Sequence, residues 1–262
     1  MDISIIIVNY NSKIKTFHCL DSIYKADLNG IEYEIIVVDN DSREKINQEI
    51  KTRYSEVIFI QNNKNSGMGA GNNLGIVQAT GKNILVLNPD TEVTAPAIRT
   101  MLDYLHANLD VGLVGPKLLR SDRTVQESCY RFPKIFIPII RRTFLAKFAK
   151  NYVDDYLLKN IDLTKSQTVD WIQGSCLLIK KEVIDKVGMF DERFFMYLED
   201  TDLCKRISLA GWKVVYLPTA EVFHLHERAS AKKHWFLAPF LNKLSRIHII
   251  SWGKYFIKWK FK

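Results

Sequence analysis

Ile3–Val8, Tyr33–Val38 and Ile84–Leu87 are short runs dominated by Ile, Val and Leu, and each runs directly into polar residues: Asn9-Tyr10-Asn11, Asp39-Asn40-Asp41 and Asn88-Pro89-Asp90. Strands this short and this predominantly apolar, separated by helices, belong to a mostly parallel sheet covered on both faces. The segments between them supply those helices. Ser12–Tyr24 carries Ile14, Phe17, Leu20 and Ile23 at helical spacing, while Arg43–Tyr54 and Gly67–Thr80 read as helices around a further strand, Val57–Gln61. Thr94–Ala107 reads as a helix with a Thr cap ahead of Pro96. Right-handed crossovers bring the strand ends to one edge, where such sheets take ligands. One Asn/Asp cluster is an ordinary turn; three at equivalent strand ends predict a site.

The chain has 262 residues, 47% hydrophobic and 25% charged, which excludes a disordered chain, a collagen-like repeat and a small disulfide scaffold. Cys19, Cys129, Cys176 and Cys204 lie far apart without a CxxC pair, against a zinc cluster or redox dithiol and for a reducing, cytoplasmic compartment. The opening MDISIIIVNYNS has no basic stretch and reads as a strand rather than a signal peptide. No apolar run reaches the roughly 18 residues of a membrane span. The net charge of +8 is concentrated at one end. Residues 228–262 hold nine Lys/Arg and no acid, leaving 28 basic against 29 acidic residues in 1–227.

Gly67-Met68-Gly69-Ala70-Gly71-Asn72-Asn73 invites a dinucleotide reading, but the sixth position from Gly67 is Asn72 and from Gly69 is Leu74, so GxGxxG fails. Without GK[ST] it is no P-loop either. Two readings remain: glycines that let the backbone approach a diphosphate at a helix N-terminus, or a structural tight turn. Residues 117–170 are less regular, with Ile135–Lys150 a surface helix or loop. Trp171-Ile172-Gln173-Gly174-Ser175 precedes the apolar run Cys176–Lys180, and Glu199-Asp200-Thr201-Asp202 opens a helix expected over Thr201–Ala210 and stopped by Gly211. Lys213–Leu217 is a last strand before His224 and His226.

In order, IIIVNYNS, VVDNDS, NKNSGMGAGNN, LNPDTEV, WIQGSCLLIKK, VGMFDERFFMYLEDTDLCKRISLAGW and VFHLHERAS resemble the family 2 glycosyltransferases of the GT-A fold. The resemblance covers about 3–230 and is strongest to the bacterial rhamnosyltransferase-like branch of polysaccharide biosynthesis. It implies an α/β, Rossmann-like domain over 1–227, with a nucleotide-sugar half to about 115 and an acceptor and catalytic half from 116. Asp39 would accept the imide N–H of uracil or thymine, with Val8, Asn9, Tyr10, Asn11 and Asn40 shaping the base and ribose pocket. Gly67, Gly69 and Asn72 would lie on the donor. Asn88-Pro89-Asp90 stands where the family has Asp-x-Asp, so Asp90 is its one strong ligand for Mn²⁺ or Mg²⁺, and His224 matches the second ligand position. His224 and His226 alternate on an extended segment, so one of them faces the site.

Asp200 takes the role of general base in this resemblance, and a single base without a carboxylate nucleophile opposite implies displacement with inversion. A helix cap is the other reading of Asp200 or Thr201. Trp171, Gln173, Gly174, Glu199 and Asp202 are the acceptor-side candidates; packing alone is the other reading of Trp171, and a structural group in the helix's first turn the other reading of Asp202.

The tail interleaves its cations with eight aromatics and sets Leu237, Phe240, Leu241, Leu244 and Ile247 on one helical face, the pattern of an amphipathic helix on anionic lipid. The near-neutral body carries no nucleic-acid motif, so no nucleic acid is expected. The leading expectation is an inverting, metal-dependent enzyme at the inner face of the cytoplasmic membrane, moving L-rhamnose from dTDP-L-rhamnose to a lipid-linked or growing glycan. A UDP-sugar donor (hexose, N-acetylhexosamine or galactofuranose) is the alternative. A nucleotidyltransferase and a non-enzymatic basic binding module stand behind it.

Overall fold

The computed structural model describes residues 1–26, 28–141, 143–225 and 243–260. The elements run β1 (Ile3–Asn9), α1 (Lys13–Tyr24), β2 (Tyr33–Asn40), α2 (Asn47–Arg53), β3 (Ile58–Asn62), α3 (Met68–Gln78), β4 (Asn83–Leu87), β5 (Thr91–Val93), α4 (Ala97–Ala107) and β6 (Val111–Leu119). Two short strands follow, β7 (Val125–Gln126) and β8 (Cys129–Tyr130), then α5 (Ile137–Arg141), a 3₁₀ turn and α6 (Lys150–Tyr156). The chain continues through β9 (Gln167–Val169), β10 (Trp171–Ile172), β11 (Cys176–Lys180), α7 (Lys181–Val187), α8 (Glu199–Leu209), β12 (Lys213–His224) and α9 (Lys243–Trp259).

The main sheet has the order β3-β2-β1-β4-β11-β6-β12-β5, with β7 on β6 and β9 on β12. β1, β2, β3 and β4 are mutually parallel, as the sequence pattern predicts. β11 reverses between β4 and β6, and β12 returns parallel to β6. The C-terminal ends of β1, β2, β4 and β12 therefore share one edge with the N-terminal end of β11.

The side-chain alternation of a strand divides the core in two. Ile5 and Ile7 face α1 and α4, packing with Leu20, Ile23 and Met101; Ile6 and Val8 face the other way, with Ile76, Leu177 and Ile207. All four strand residues are essentially without solvent contact. Close approach of α3 needs glycine, because a Cβ on Gly75 would lie 2.5 Å from Ile6 Cγ2.

Some expected bounds move. The second helix covers Asn47–Arg53 rather than the whole of 43–54, and α8 begins two residues before the expected Thr201. Thr94 caps no helix: Pro96 is the N-cap of α4, and the Thr94 hydroxyl donates to the Glu221 carbonyl at 2.8 Å.

α9 is packed on the body, so the division drawn at 227/228 on charge does not separate two packing units. Tyr255 and Trp259 bury against Phe194 and Leu198, the Ser251 hydroxyl donates to Met196 O at 2.8 Å, and Lys254 Nζ donates to Arg193 O at 2.7 Å. His226, Leu237, Phe240 and Leu241 lie outside the described residues, and no described helix is long and apolar enough to cross a membrane.

Gly75→Val should cost about 2–4 kcal/mol by urea denaturation, since the new methyls meet a packed Ile6. Gly30→Ala, with φ of +76° and no heavy atom within 4 Å, should cost only about 1 kcal/mol.

Candidate functional site

The end of β2 is a buried polar knot. Asp39 is fully buried; its Oδ2 accepts Asn9 Nδ2 at 2.7 Å, and its Oδ1 accepts the Ser42 amide at 2.9 Å and Gln61 Nε2 at 3.0 Å. Burial works against ionisation of Asp39, but these hydrogen bonds outweigh it and hold the carboxyl below its usual range. Asn9 Oδ1 in turn accepts the Ser12 amide and the Thr16 hydroxyl, fixing the start of α1. Asn40 is 2% exposed and its amide bonds both Asn62 and the Gly67 carbonyl, tying the loop before α3 to β2. Tyr10 and Asn11 are exposed at this edge.

Asn88 and Asp90 end β4 next to two other strand ends. The Asn88 amide donates to Ser175 O at 2.9 Å, at the entry to β11. Asp90 Oδ1 lies 3.3 Å from His224 Nε2, with Lys15 Nζ 3.8 Å from the other oxygen. His224 is 3% exposed, and its Nδ1 is 3.1 Å from Gln126 Oε1. A carboxamide oxygen only accepts, so with this amide orientation Nδ1 carries a proton and donates to Gln126, and Nε2 is the nitrogen turned to Asp90. Two atoms 3.3 Å apart suit adjacent positions around one ion with bonds of roughly 2.1 Å. Among the described residues no group of three or more His, Cys, Asp or Glu could hold a metal, so Asp90 and His224 would leave most of its coordination to substrate oxygens and water. A divalent ion fits this pair.

Glu199 and Asp200 open α8. Asp200 Oδ2 accepts the Gly174 amide at 2.9 Å, and Oδ1 accepts the Thr201 amide at 2.6 Å. The next residue after Gly174, Ser175, has its hydroxyl 3.3 Å from His224 Nε2. Burial raises the Asp200 carboxyl above its usual range against the opposing pull of those two amides. Glu199 is pushed up to about 8, first by burial and then by the Asp200 charge. Its Oε2 is buried without a hydrogen-bond partner. Burial thus favours the neutral form of Glu199, whereas Asp200 is the acid of the pair whose ionised form two backbone amides stabilise.

Several expected roles change. Asp202 does not face an acceptor: it is fully buried and bonded by Trp259 Nε1 at 3.0 Å and Arg206 Nε at 2.9 Å, with Lys258 Nζ 2.6 Å away. Trp171 is a packing residue, stacked on Tyr130 at 4.6 Å and donating Nε1–H to Arg131 O, because the β8–β10 pair draws it inward. Glu199 lies against Gly69 under α3 rather than open to an acceptor, and Gly174 serves as a donor to Asp200.

On the donor side, Val8 sits beneath the site, where a Cβ on Gly71 would come within 2.9 Å of it. The helix N-terminus expected to face a diphosphate is covered, since the Met68 amide donates to Phe195 O at 2.8 Å. A Cβ on Gly67 would lie 2.1 Å from that same oxygen, so this glycine, at φ of +94°, is needed for close packing of 190–199. Asn72 is buried, its Oδ1 without a partner. Gln126, Lys15 and Gln61 are not marked as site residues in the sequence. No local pattern marks them, whereas Ser175 stands with Gln173 and Gly174 before an apolar run.

The glycosyl transferase family 2 profile matches residues 4–188. The chain is 30% identical over 202 residues to the N-acetylglucosaminyl-diphospho-decaprenol L-rhamnosyltransferase of Mycobacterium tuberculosis, covering 72% of this chain and 66% of that protein, so it spans about two thirds of that relative's length. It is 27% identical over 231 residues to the rhamnosyltransferase WbbL of Escherichia coli K12, covering 84% of each. Among solved structures, GalNAc-T7 with UDP, GalNAc and Mn²⁺ superposes with a TM-score of 0.65 at 16% identity, over 87% of this chain and 44% of that one. The fold is of the GT-A type.

The usual glutamate value is 4.5 and the folded value of Glu199 about 8, so between them the folded state binds the extra proton. That contribution to stability is fully present below the unfolded value and is lost as pH rises through the folded one. Glu199→Gln should therefore melt higher than the parent at pH 8 by several degrees and gain little at pH 4.5, in melts across that range.

Proposed function

Because this chain belongs to glycosyl transferase family 2, we propose that it moves a sugar from a nucleoside-diphosphate donor to a glycan hydroxyl, with inversion at the anomeric carbon. The observation that carries this reading is the pair Gly174-Ser175. Its amide holds Asp200 while its hydroxyl touches His224, so a proton acceptor and a cation-binding pair stand on either side of one short loop. A base beside the attacking hydroxyl and positive charge beside the departing diphosphate are the two requirements of the reaction.

The acceptor hydroxyl gives its proton to Asp200 as its oxygen attacks the anomeric carbon. The bond from that carbon to the diphosphate oxygen breaks, and the nucleoside diphosphate leaves. A divalent ion bound by Asp90 and His224 would neutralise the charge on that leaving group. Lys15, 3.8 Å from Asp90, adds a cation on the same side. Burial of Glu199, which favours its neutral form, limits the negative charge beside Asp200. Asp39 stands at the nucleotide end, with the exposed Gln61 between its carboxylate and solvent.

The proposed donor is dTDP-L-rhamnose and the proposed acceptor a lipid-diphosphate-linked glycan, in keeping with the names of the relatives. Such an acceptor puts the enzyme on the inner face of the cytoplasmic membrane. The exposed Ile249, Ile250 and Ile257 of α9, among Arg246, Lys254 and Lys260, support contact with an anionic lipid surface.

Asp200→Asn should keep dTDP binding within about threefold while kcat falls by about two to four orders of magnitude. The check is dTDP release from dTDP-L-rhamnose with polyprenyl-diphospho-N-acetylglucosamine, beside calorimetry of dTDP binding; parent-like turnover removes Asp200 from the mechanism. Asp90→Ala and His224→Ala should each weaken Mn²⁺-dependent dTDP binding by about tenfold or more, with Asp90 the more severe. Unchanged titrations in Mn²⁺ and in chelator would place the ion elsewhere.

A further inference from the structure

The segment that delivers Glu199 and Asp200 is held at both ends by one side chain. Lys258 Nζ lies 2.7 Å from Asp191 Oδ2 and 2.6 Å from Asp202 Oδ1, and Asp202 also takes the Trp259 indole N–H at 3.0 Å. Asp202 is fully buried, and Lys258 is 14% exposed at its side chain. Exposed ion pairs hold little, but a buried carboxylate with its donors in place has a fixed position. Asp191 is held well below the usual carboxylate range, first by its hydrogen bonds from Arg193 and then by Lys258, so it stays charged.

Between these anchors the backbone is strained. Tyr197 and Leu198, the two residues before Glu199, both have left-handed φ, +70° and +67°. Side chains other than glycine keep that conformation only where the surroundings impose it. Here α9 imposes it: the Tyr197 ring stacks on His248 at 4.6 Å, and Leu198 is buried with Tyr255 and Trp259. Two residues further on, Asp200 meets the Gly174 amide. A base displaced by a fraction of an ångström loses that bond and its aim at the acceptor.

We propose that Lys258 and Trp259 are positioning residues for the catalytic segment, and that α9 clamps 191–202 so that Asp200 is set against Gly174. This rests on the reading of Asp200 as base. The role extends the chemistry to the far end of the chain, through residues that touch no substrate.

The test uses the full chain with Trp259→Phe, which removes one N–H and keeps the ring packing, and with Lys258→Met and Lys258→Arg. Amide hydrogen exchange reads the two bonds to the base directly, at Gly174 and Thr201. Trp259→Phe and Lys258→Met should speed both amides by about tenfold or more while β2 amides such as Val37 stay unchanged, and Lys258→Arg should restore protection. With dTDP-L-rhamnose as donor, the first two variants should lose about tenfold in kcat with donor KM within about twofold. Unchanged exchange at Gly174 and Thr201, acceleration spread evenly over the sheet, or faster local exchange with parent-like kcat each overturns the proposal. Turnover of Asp200→Asn stands apart from the exchange measurement, so failure of the base assignment and failure of the clamp are told apart.

Discussion

The antiparallel pairing of β11 on β4, Cys176 opposite Leu87 and Lys180 opposite Asn83, sets the geometry on which the rest depends. Every parallel strand presents its C-terminal end to the ligand edge. A strand entering the other way presents its approach loop there instead, and so Gln173-Gly174-Ser175 arrives beside Asn88. That loop carries the amide that holds Asp200 and the hydroxyl that meets His224. Were β11 parallel to β4, the same loop would lie at the opposite edge, and the acid on α8 and the histidine on β12 would lose their common neighbour.

The acids of the site show how one functional group takes different states from its surroundings. Asp39 is buried yet held ionised by amide and hydroxyl donors, whereas Glu199, buried without enough donors and beside another acid, holds its proton to about 8. Asp200 lies between them, raised by burial and opposed by two backbone amides. Asp202 is two residues on, about 200° around the helix. That turn carries it away from the cleft and onto α9, where Lys258, Trp259 and Arg206 surround it.

Much of the fold was legible because its signals are local. Apolar runs at Ile5–Val8 and Ile35–Val38 announce buried parallel strands, and the polar residues that stop such runs mark the edge where Asp39 and Asp90 stand. Asp200 and His224 could be singled out by their place in ordered motifs. Trp171 and Asp202 stayed open between site and core because a Trp or Asp near a site looks the same whether it faces solvent or core; the stacking on Tyr130 and the bond from Trp259 come from residues 40 or more positions away. Gln126 could not be found at all, being 98 positions from the histidine it orients.

By itself, then, the sequence determined the α/β class, the parallel half of the sheet, and which acids terminate its strands, because hydrophobic periodicity and turn chemistry act over a few residues. Only the tertiary structure decided that Gly67 and Gly69 serve close packing against Phe195 and Phe190, that Gly174 is the partner of Asp200, and that α9 packs on the body. Those outcomes depend on distances between segments remote in the chain. A one-dimensional pattern records what each residue can do, and packing selects which neighbour it does it to.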